Sequence, residues 1–152
     1  MDVFTKEKRS AIMAAIPSHN TSIELLVRKA ILRAGFRPSN SKSKLPGKPD
    51  IVVPRLKLAV FVHGCFWHGH SCHRAKLPSS NQSFWEKKIA GNVRRDRRNI
   101  RKLRDDGWRV HQVWQCSLEI GIRRVIAKAK RISHLYLITK QSRPNVGASR
   151  ST

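Results

Sequence analysis

Apolar residues recur at three- and four-residue steps in three stretches of the chain, which predicts three amphipathic helices. The first stretch covers residues 21–34 and the second covers residues 83–106. Gly35 and Gly107 follow these stretches, and a glycine directly after the last turn is a common helix end signal. The third stretch, residues 118–132, predicts a basic amphipathic helix.

Short apolar runs between these helices predict three strands. Residues 51–53 and 56–62 form two such runs, and the Pro54-Arg55 turn between them predicts a hairpin. Residues 108–114 form the third run. The order helix, hairpin, helix, strand, helix predicts an α/β domain with a small central mixed sheet flanked by helices.

The length of 152 residues fits one compact domain and leaves little room for a second. We expect a basic N-terminal arm over residues 1–20 and the folded domain over residues 21–137. Residues 138–152 are predicted to be a disordered tail, because their end is rich in Ser, Arg, Pro and Gly.

The charge of the chain is strongly unbalanced, with 32 basic residues against nine acidic ones and a net charge of +23. Such a chain repels itself when compact, which favours a polyanionic partner, with nucleic acid as the first candidate. A membrane surface is the alternative, but no predicted helix places aromatic residues opposite a basic face. No apolar run approaches the roughly 20 residues of a membrane span, and the N-terminus lacks the apolar block of a secretory signal. The three cysteines are an odd number for a disulfide framework, so we expect an intracellular, reduced protein.

Part of this charge is concentrated on the exposed face of the second predicted helix. A solvated face is the ordinary interpretation of such a run, but seven cations with few acids nearby favour contact with phosphate. The seven are Arg94, Arg95, Arg97, Arg98, Arg101, Lys102 and Arg104, and the first choices for contacting DNA are Arg94, Arg95 and Arg98.

Asp96 interrupts the apolar stripe of the same helix. The other positions of this stripe are Ile89, Val93, Ile100 and Leu103. A carboxylate on an otherwise apolar face is either paired with a buried base or used in a site.

The strongest candidate site uses every cysteine of the chain. Cys65-x4-His70-x-Cys72 lies in one loop, and Cys116 lies at the end of a predicted strand that could return beside it. Three thiolates and one imidazole make a closed tetrahedral ligand set, which is typical of a structural zinc site. Two alternatives stay open: the cysteines could be small buried hydrophobic residues, or His73 could replace His70 as a ligand.

A second candidate site surrounds the predicted hairpin, with Asp50 before it and His63 and His68 after it. Many metal-dependent nucleases use an acidic residue at the start of such a strand to hold magnesium against a phosphate. A neutral imidazole nearby can accept a proton from the attacking water. The competing interpretation of Asp50 is a turn residue after proline.

Glu24 also has two interpretations. Thr21-x-x-Glu24 matches a capping box at the start of the first helix, in which the carboxylate reaches back to the Thr21 amide. Capping is the favoured role, and it is compatible with a role in a site because a first-turn residue can face a cleft.

Phe66 and Trp67 lie inside the loop of candidate ligands, where no strand or helix pattern requires aromatic residues. One interpretation is that they pack over the zinc. The other is that they wedge between base pairs, since inserted apolar side chains unstack and kink a duplex. Met13, in the basic arm, is a weaker candidate for the same role from the other groove.

At these residues the chain resembles the very-short-patch-repair (Vsr) family of DNA mismatch endonucleases. The resemblance covers about residues 9 to 118 in five segments, of which the His-Gly-Cys-Phe-Trp-His block is the most specific. The segments are Arg9-Ser10-x-x-Met13, Leu45-Pro46-Gly47-Lys48-Pro49-Asp50, Phe61-Val62-His63-Gly64-Cys65-Phe66-Trp67-His68, Phe84-Trp85 through Asn92-Val93-x-Arg95-Asp96-x-Arg98, and Gly107-Trp108-Arg109-Val110 to Trp114-x-Cys116.

This resemblance implies a restriction-endonuclease-like fold, a zinc-stabilised loop and magnesium-dependent nicking of one DNA strand on the 5′ side of the T in a T:G mismatch. Such mismatches arise when 5-methylcytosine deaminates, and the nick starts very short patch repair. We expect a monomer in the cytoplasm, associated with the nucleoid, that acts on double-stranded DNA and works with mismatch-repair matchmaker proteins. Two other functions stay open: a non-catalytic zinc-containing DNA-binding module, and a related restriction or homing nuclease with another target.

The resemblance also implies a role for each matching residue. Asp50 would be the main magnesium ligand, with the backbone carbonyl of Val62 as its companion. His68 would be the base acting on the attacking water, supported by His63 and Glu24.

The same resemblance implies the zinc ligands Cys65, His70, Cys72 and Cys116, and the DNA wedges Met13, Phe66 and Trp67.

Two positions depart from the family pattern. The family often has Thr at position 62, where this chain has Val, and a Glu is common at position 115, where this chain has Gln. Val62 is harmless if the backbone carbonyl carries the role, and the difference at Gln115 has no assigned consequence.

Overall fold

A computed structural model describes residue 5, residues 7–8, residues 21–39 and residues 44–141 of the chain. Predictions for Met13, for most of the basic arm and for residues 142–152 lie outside the described residues. Within these ranges, the order of helices and strands is the predicted one. The elements are α1 (Ser22–Arg33), β1 (Ile51–Val53), β2 (Leu58–His63), α2 (Gln82–Asp105), β3 (Arg109–Trp114) and α3 (Leu118–Gln141).

The start of α1 is fixed by Thr21, as the capping motif predicts. The Glu24 amide donates a hydrogen bond to Thr21 Oγ1 at 3.4 Å, which satisfies one of the free N–H groups of the first turn. The Thr21 hydroxyl in turn donates to Glu24 Oε1 at 3.1 Å. The carboxylate therefore reaches back to the capping residue through its side chain.

The three strands form one mixed sheet in the order β1-β2-β3. β1 and β2 are antiparallel, with Ile51 opposite Val60, and β2 and β3 are parallel. The predicted hairpin is confirmed, but its turn is longer than two residues. A 3-10 turn at Pro54–Leu56 is followed by Lys57 with φ 46°, and β2 begins only at Leu58.

The sheet is covered on both faces, and β2 is buried along its whole length. Its alternate side chains enter two separate apolar clusters, because successive residues of a strand point to opposite faces. One cluster lies between the sheet, α1 and α3 and includes Val27, Ile31, Leu58, Val60, Val113, Val125 and Ala129. The other lies between the sheet and α2 and consists of Ala59, Phe61, Ile100, Leu103 and Val110.

The bounds of α2 agree with the prediction to within one residue at each end. It ends before Gly107, whose φ of +82° is a conformation that glycine adopts without strain. Its buried residues include Ile89, Ile100 and Leu103, which belong to the predicted stripe.

α3 is longer than predicted, and the boundary of the disordered tail at residue 138 is wrong for its first four residues. The helix continues to Gln141, because the sequence contains no glycine or proline between Gly121 and Gln141 to end it. Within the ranges described above, no helix is both long enough and apolar enough to cross a lipid bilayer.

Two helical glycines give a matched test of this packing. A Cβ on Gly121 of α3 would lie 2.7 Å from Val113 Cγ1 of β3, whereas a Cβ on Gly91 of α2 would meet no atom within 4 Å. Overpacking costs about 1–3 kcal/mol, and replacing a helical glycine by alanine contributes about 0.5–1 kcal/mol. We therefore expect Gly121→Ala to lower the free energy of unfolding and Gly91→Ala to raise it, as measured by urea denaturation. Equal stability of the two variants would contradict the close contact of α3 with β3.

Candidate active site and metal centre

The loop between β2 and α2 rests on α2 through Gly69. This residue has φ +62°, and a Cβ there would lie only 2.8 Å from Val93 Cγ2. The loop before β1 approaches the same helix at Gly47, which has φ +73° and whose Cβ would lie 2.9 Å from Asn99 Cβ. α2 therefore supports both loops that carry the candidate site residues.

The predicted cysteine and histidine cluster forms in the structure. One potential ligand atom from each of its four residues lies within 4.8 Å of the others; the residues are Cys65, His70, Cys72 and Cys116. The backbone explains the choice of histidine, since the His70 amide donates to the Cys65 carbonyl at 3.1 Å and turns the loop back on itself. His73 is exposed on a short 3-10 turn and is not part of the cluster.

The donor set of this cluster fits a metal ion with four soft or borderline ligands. Burial raises the pKa of the Cys65 thiol to about 11, and a hydrogen bond with His70 lowers the pKa of the Cys72 thiol to about 6. Cys116 Sγ lies 3.5 Å from His70 Nδ1. The cluster connects distant parts of the chain, because Cys116 lies in the 3-10 turn after β3, two residues beyond Trp114.

His68 is held by the carboxylate in the stripe of α2. Its Nδ1 lies 2.6 Å from Asp96 Oδ2, and both side chains are about a quarter exposed or less, at 26% and 20%. An ionised carboxylate only accepts hydrogen bonds, so His68 Nδ1 donates and Nε2 carries the lone pair of the neutral ring. The sequence left two roles open for Asp96, pairing with a buried base or use in a site, and the structure pairs it with the partly exposed His68.

His63 lies beside His68, with ring centroids 3.9 Å apart. It is 3% exposed, and burial, followed by the neighbouring His68, lowers its pKa to about 4. Gln112 Nε2 of β3 lies 3.0 Å from His63 Nε2. The buried ring is therefore neutral at pH 7 and fixed in orientation.

Asp50 lies immediately before β1 and is tied to β2. The Val62 amide donates to Asp50 Oδ2 at 2.7 Å. In a strand, the N–H and C=O of one residue point to the same side, so the Val62 carbonyl also faces the edge where Asp50 lies. Neither Asp50 nor the buried Glu24 belongs to a cluster of three or more potential metal ligands among the described residues.

The aromatic pair Phe66 and Trp67 packs on the start of α2. Phe66 lies 5.4 Å from Trp85 between ring centroids, and Trp67 lies 6.1 Å from it. Phe84, next to Trp85, is 57% exposed. The Asn92 side chain donates to the Trp67 carbonyl at 3.0 Å and so joins this pair to the helix.

The three cations of α2 that were predicted to contact DNA are exposed; they are Arg94, Arg95 and Arg98. Arg95 Nη2 also donates to Asn92 Oδ1 at 2.9 Å, which places one cation next to the residue that holds the Trp67 backbone. The basic face of α2 thus lies next to the loop that carries the aromatic pair.

Comparison with known proteins gives the family. The model of the DNA mismatch endonuclease Vsr family matches residues 1–74. A type II nicking enzyme, V.NmeAIP of Neisseria meningitidis, is 46% identical over 118 residues, covering 78% of this chain and 84% of that protein. The DNA mismatch endonuclease Vsr of Escherichia coli is 43% identical over 117 residues, covering 77% of this chain and 75% of that protein. The chain belongs to the Vsr family of DNA mismatch endonucleases.

As a member of the Vsr family, the chain is an endonuclease with a role in DNA repair, and its partner is DNA. A further relative, the type II nicking enzyme V.XorIIP of Xanthomonas oryzae, is 44% identical over 117 residues, covering 77% of this chain and 86% of that protein. Family membership favours the nuclease over the non-catalytic DNA-binding module.

Sequence reasoning left two residues of this Vsr-family site without a role. Asp96 was detectable from its place in an apolar stripe, but its partner depends on the path of a distant loop. Gln112 gave no signal, because a polar residue in a strand is ordinary and only the folded structure brings it to His63.

The contact between His68 and Asp96 predicts which ring nitrogen of His68 carries the proton. In the neutral form, long-range ¹H–¹⁵N NMR of histidine-labelled protein should show His68 with its proton on Nδ1 alone. Asp96→Ala should release the ring to a mixture of tautomers, while Asp106→Ala on the exposed end of α2 should leave the spectrum of His68 unchanged. A wild-type spectrum with the proton on Nε2 would contradict the geometry.

Proposed function

We propose that the chain nicks one strand of double-stranded DNA on the 5′ side of the T in a T:G mismatch, with magnesium, and so starts very short patch repair of deaminated 5-methylcytosine. The observation that carries this proposal is the arrangement of His68, Asp96 and His63 in a chain of the Vsr family. It supplies a positioned base next to a strand end that carries a carboxylate.

Asp50 and the backbone carbonyl of Val62 are the proposed ligands of the magnesium ion. Both are hard oxygen donors, which Mg²⁺ prefers. They face the same edge of β2, as the hydrogen bond from the Val62 amide to Asp50 indicates. The role needs only the carbonyl at position 62, so a valine serves there as well as a threonine. When bound, the ion would stabilise the charge that develops on the scissile phosphate.

His68 is the proposed general base. The lone pair of Nε2 accepts a proton from the attacking water, and Asp96 at Nδ1 orients the ring and stabilises the positive charge it gains. His63 supports this role, because a neutral buried ring next to His68 fixes it by contact without repelling the charged form. Glu24, buried in the first turn of α1, is the remaining supporting acid.

Zn²⁺ is the ion proposed for Cys65, His70, Cys72 and Cys116. Three thiolates and one imidazole complete a tetrahedral shell without an open position, which is the pattern of a structural site. The ligand set would hold the loop that carries His68 against the end of β3. The His70 ring stacks on the ring of Trp114, with ring centroids 4.3 Å apart.

Phe66, Trp67 and Met13 are the proposed wedges at the mismatch, and Arg94, Arg95 and Arg98 are proposed to bind the DNA backbone. Phe66 and Trp67 are half-buried against Trp85 at the start of α2, so their rings are already placed by packing. The arginines are exposed nearby and bind phosphate without reading sequence.

The remaining parts of the proposal concern the setting of the reaction. A small mixed sheet with an acidic residue at a strand end is compatible with a restriction-endonuclease-like fold. Action as a monomer stays a prediction. Association with the nucleoid in the cytoplasm and work with matchmaker proteins stay predictions.

Asp50 gives the most direct test of this proposal. Asp50→Asn should lower the rate of Mg²⁺-dependent nicking of a T:G duplex by about 10³-fold or more, because metal assistance is worth several kcal/mol. The affinity for the duplex in the absence of Mg²⁺ should be kept. Asp106→Asn, which removes an exposed carboxylate of the same type at the end of α2, should nick at the wild-type rate.

Nicking by Asp50→Asn at the wild-type rate would refute the metal site. Equal nicking of the T:G duplex and a matched C:G duplex by the wild-type chain would instead support a restriction-type nuclease with another target.

A further inference from the structure

We propose that His63, His68 and Asp96 form a second metal site, which takes a borderline divalent ion such as Zn²⁺ or Ni²⁺ and stops the chain from nicking DNA. The binding itself depends only on these three residues. The inhibition rests on the function proposed above, in which His68 is the base.

The geometry of the three side chains carries this proposal. One potential ligand atom of each lies within 4.8 Å of the others, and this cluster is separate in composition from the cysteine and histidine cluster. His68 Nδ1 and Asp96 Oδ2, at 2.6 Å, already point at each other. Two of the three side chains come from regular elements, because His63 ends β2 and Asp96 lies within α2, and the loop brings His68 to them.

The donor types select the ion. Imidazole nitrogen is a good ligand for Zn²⁺, Ni²⁺ and Co²⁺, whereas Mg²⁺ prefers oxygen and keeps its waters. Three protein ligands leave at least one coordination position to water, as in metal sites that remain open. His68 and Asp96 are partly exposed, so an ion and its waters can reach them.

The surroundings of the cluster give an ion access but also oppose its charge. Gln112 Nε2 lies 3.0 Å from His63 Nε2, and because an amide N–H only donates, this ring nitrogen accepts in the metal-free chain. An ion on His63 Nδ1 requires the Gln112 amide to turn its oxygen toward the Nε2 proton. A cavity of about 590 Å³ borders His68 and Asp96 and gives room for exchangeable ligands. Its wall also contains Arg97 and Arg101, which oppose a cation.

The histidine and aspartate cluster should bind a cation more weakly than the cysteine cluster does. A net charge of +23 raises the free energy of any bound cation, and only one carboxylate offsets it here. The cysteine cluster offers three thiolates instead. Zn²⁺ should therefore fill the cysteine cluster first and occupy the histidine and aspartate cluster only when it is in excess.

Occupation of this site removes the proposed base. The neutral ring of His68 has one lone pair, and Asp96 keeps the proton on Nδ1. An ion on Nε2 uses that lone pair directly. An ion on Nδ1 sends the proton to Nε2, which then has no lone pair for the proton of water, so either coordination prevents base catalysis.

Binding is tested on the full chain loaded with one equivalent of Zn²⁺, by isothermal titration with Zn²⁺ and separately with Ni²⁺. We expect a second, weaker equivalent of each ion on the wild-type chain. His63→Gln and Asp96→Ala should lose this second equivalent and keep the first. His73→Gln, a matched change of an exposed histidine outside both clusters, should keep both.

Inhibition is tested by single-turnover nicking of a T:G duplex at saturating Mg²⁺. The rate should fall by about 10²- to 10⁴-fold, which is the usual contribution of a general base, with a midpoint at the second binding constant. A weak chelator that removes only the second equivalent should restore it. If each variant still binds the first equivalent tightly, the loss of the second equivalent is not caused by misfolding.

The outcomes separate this inference from the function on which it rests. Uptake of only one equivalent, or a second equivalent that survives in both His63→Gln and Asp96→Ala, overturns the metal site. A second equivalent that leaves nicking unchanged overturns the inhibition. A chain that binds the second ion but nicks no duplex under any condition contradicts the proposed function and leaves the metal site established.

Discussion

The shape of the loop between β2 and α2 depends first on the convergence of Cys65, His70, Cys72 and Cys116. This loop has little regular secondary structure, so few repeated backbone hydrogen bonds hold its shape. Side chains must do so instead, and this cluster connects the loop to Cys116, just after β3, while the His70 ring also stacks on Trp114 at the end of that strand. His68 lies between two members of the cluster, so its position follows from that connection.

α2 is the second support of the site. The side of the helix that faces the domain offers a carboxylate to His68, an amide to the backbone of Trp67 and apolar contacts to Gly69. Its opposite side is covered with arginine and lysine. One helix therefore holds the reacting groups in place and presents a surface that attracts DNA, which explains why Asp96 is surrounded in sequence by cations.

Much of the fold follows from local patterns. Periodicity and end signals predict α1, α2 and the strands, because each depends on residues close in sequence. α3 is longer than predicted, since the consecutive apolar residues from Leu135 to Ile138 give no helical period, yet no breaker ends the helix before Gln141. The turn between β1 and β2 is longer than predicted because Lys57 adopts a left-handed conformation, and a lysine in the sequence does not indicate that conformation.

The sequence predicted which residue types form the site, but not which of their side chains contact each other. The use of every cysteine predicted a cluster, and the turn from Cys65 to His70 then decided between two histidines. The apolar stripe marked Asp96 as either paired or part of a site, yet its partner His68 lies 28 residues earlier and is brought near by the loop. Gln112 and the packing of Phe66 and Trp67 on Trp85 are tertiary contacts without a local pattern.

A double-mutant cycle tests most directly whether the cluster acts by holding His68. Single-turnover nicking of a T:G duplex would be measured for Cys116→Ala, His68→Ala and the double variant. Residues that act as one unit give non-additive losses, so the double variant should be no slower than His68→Ala alone. Losses that multiply in the double variant, or a wild-type rate for Cys116→Ala, would contradict this account.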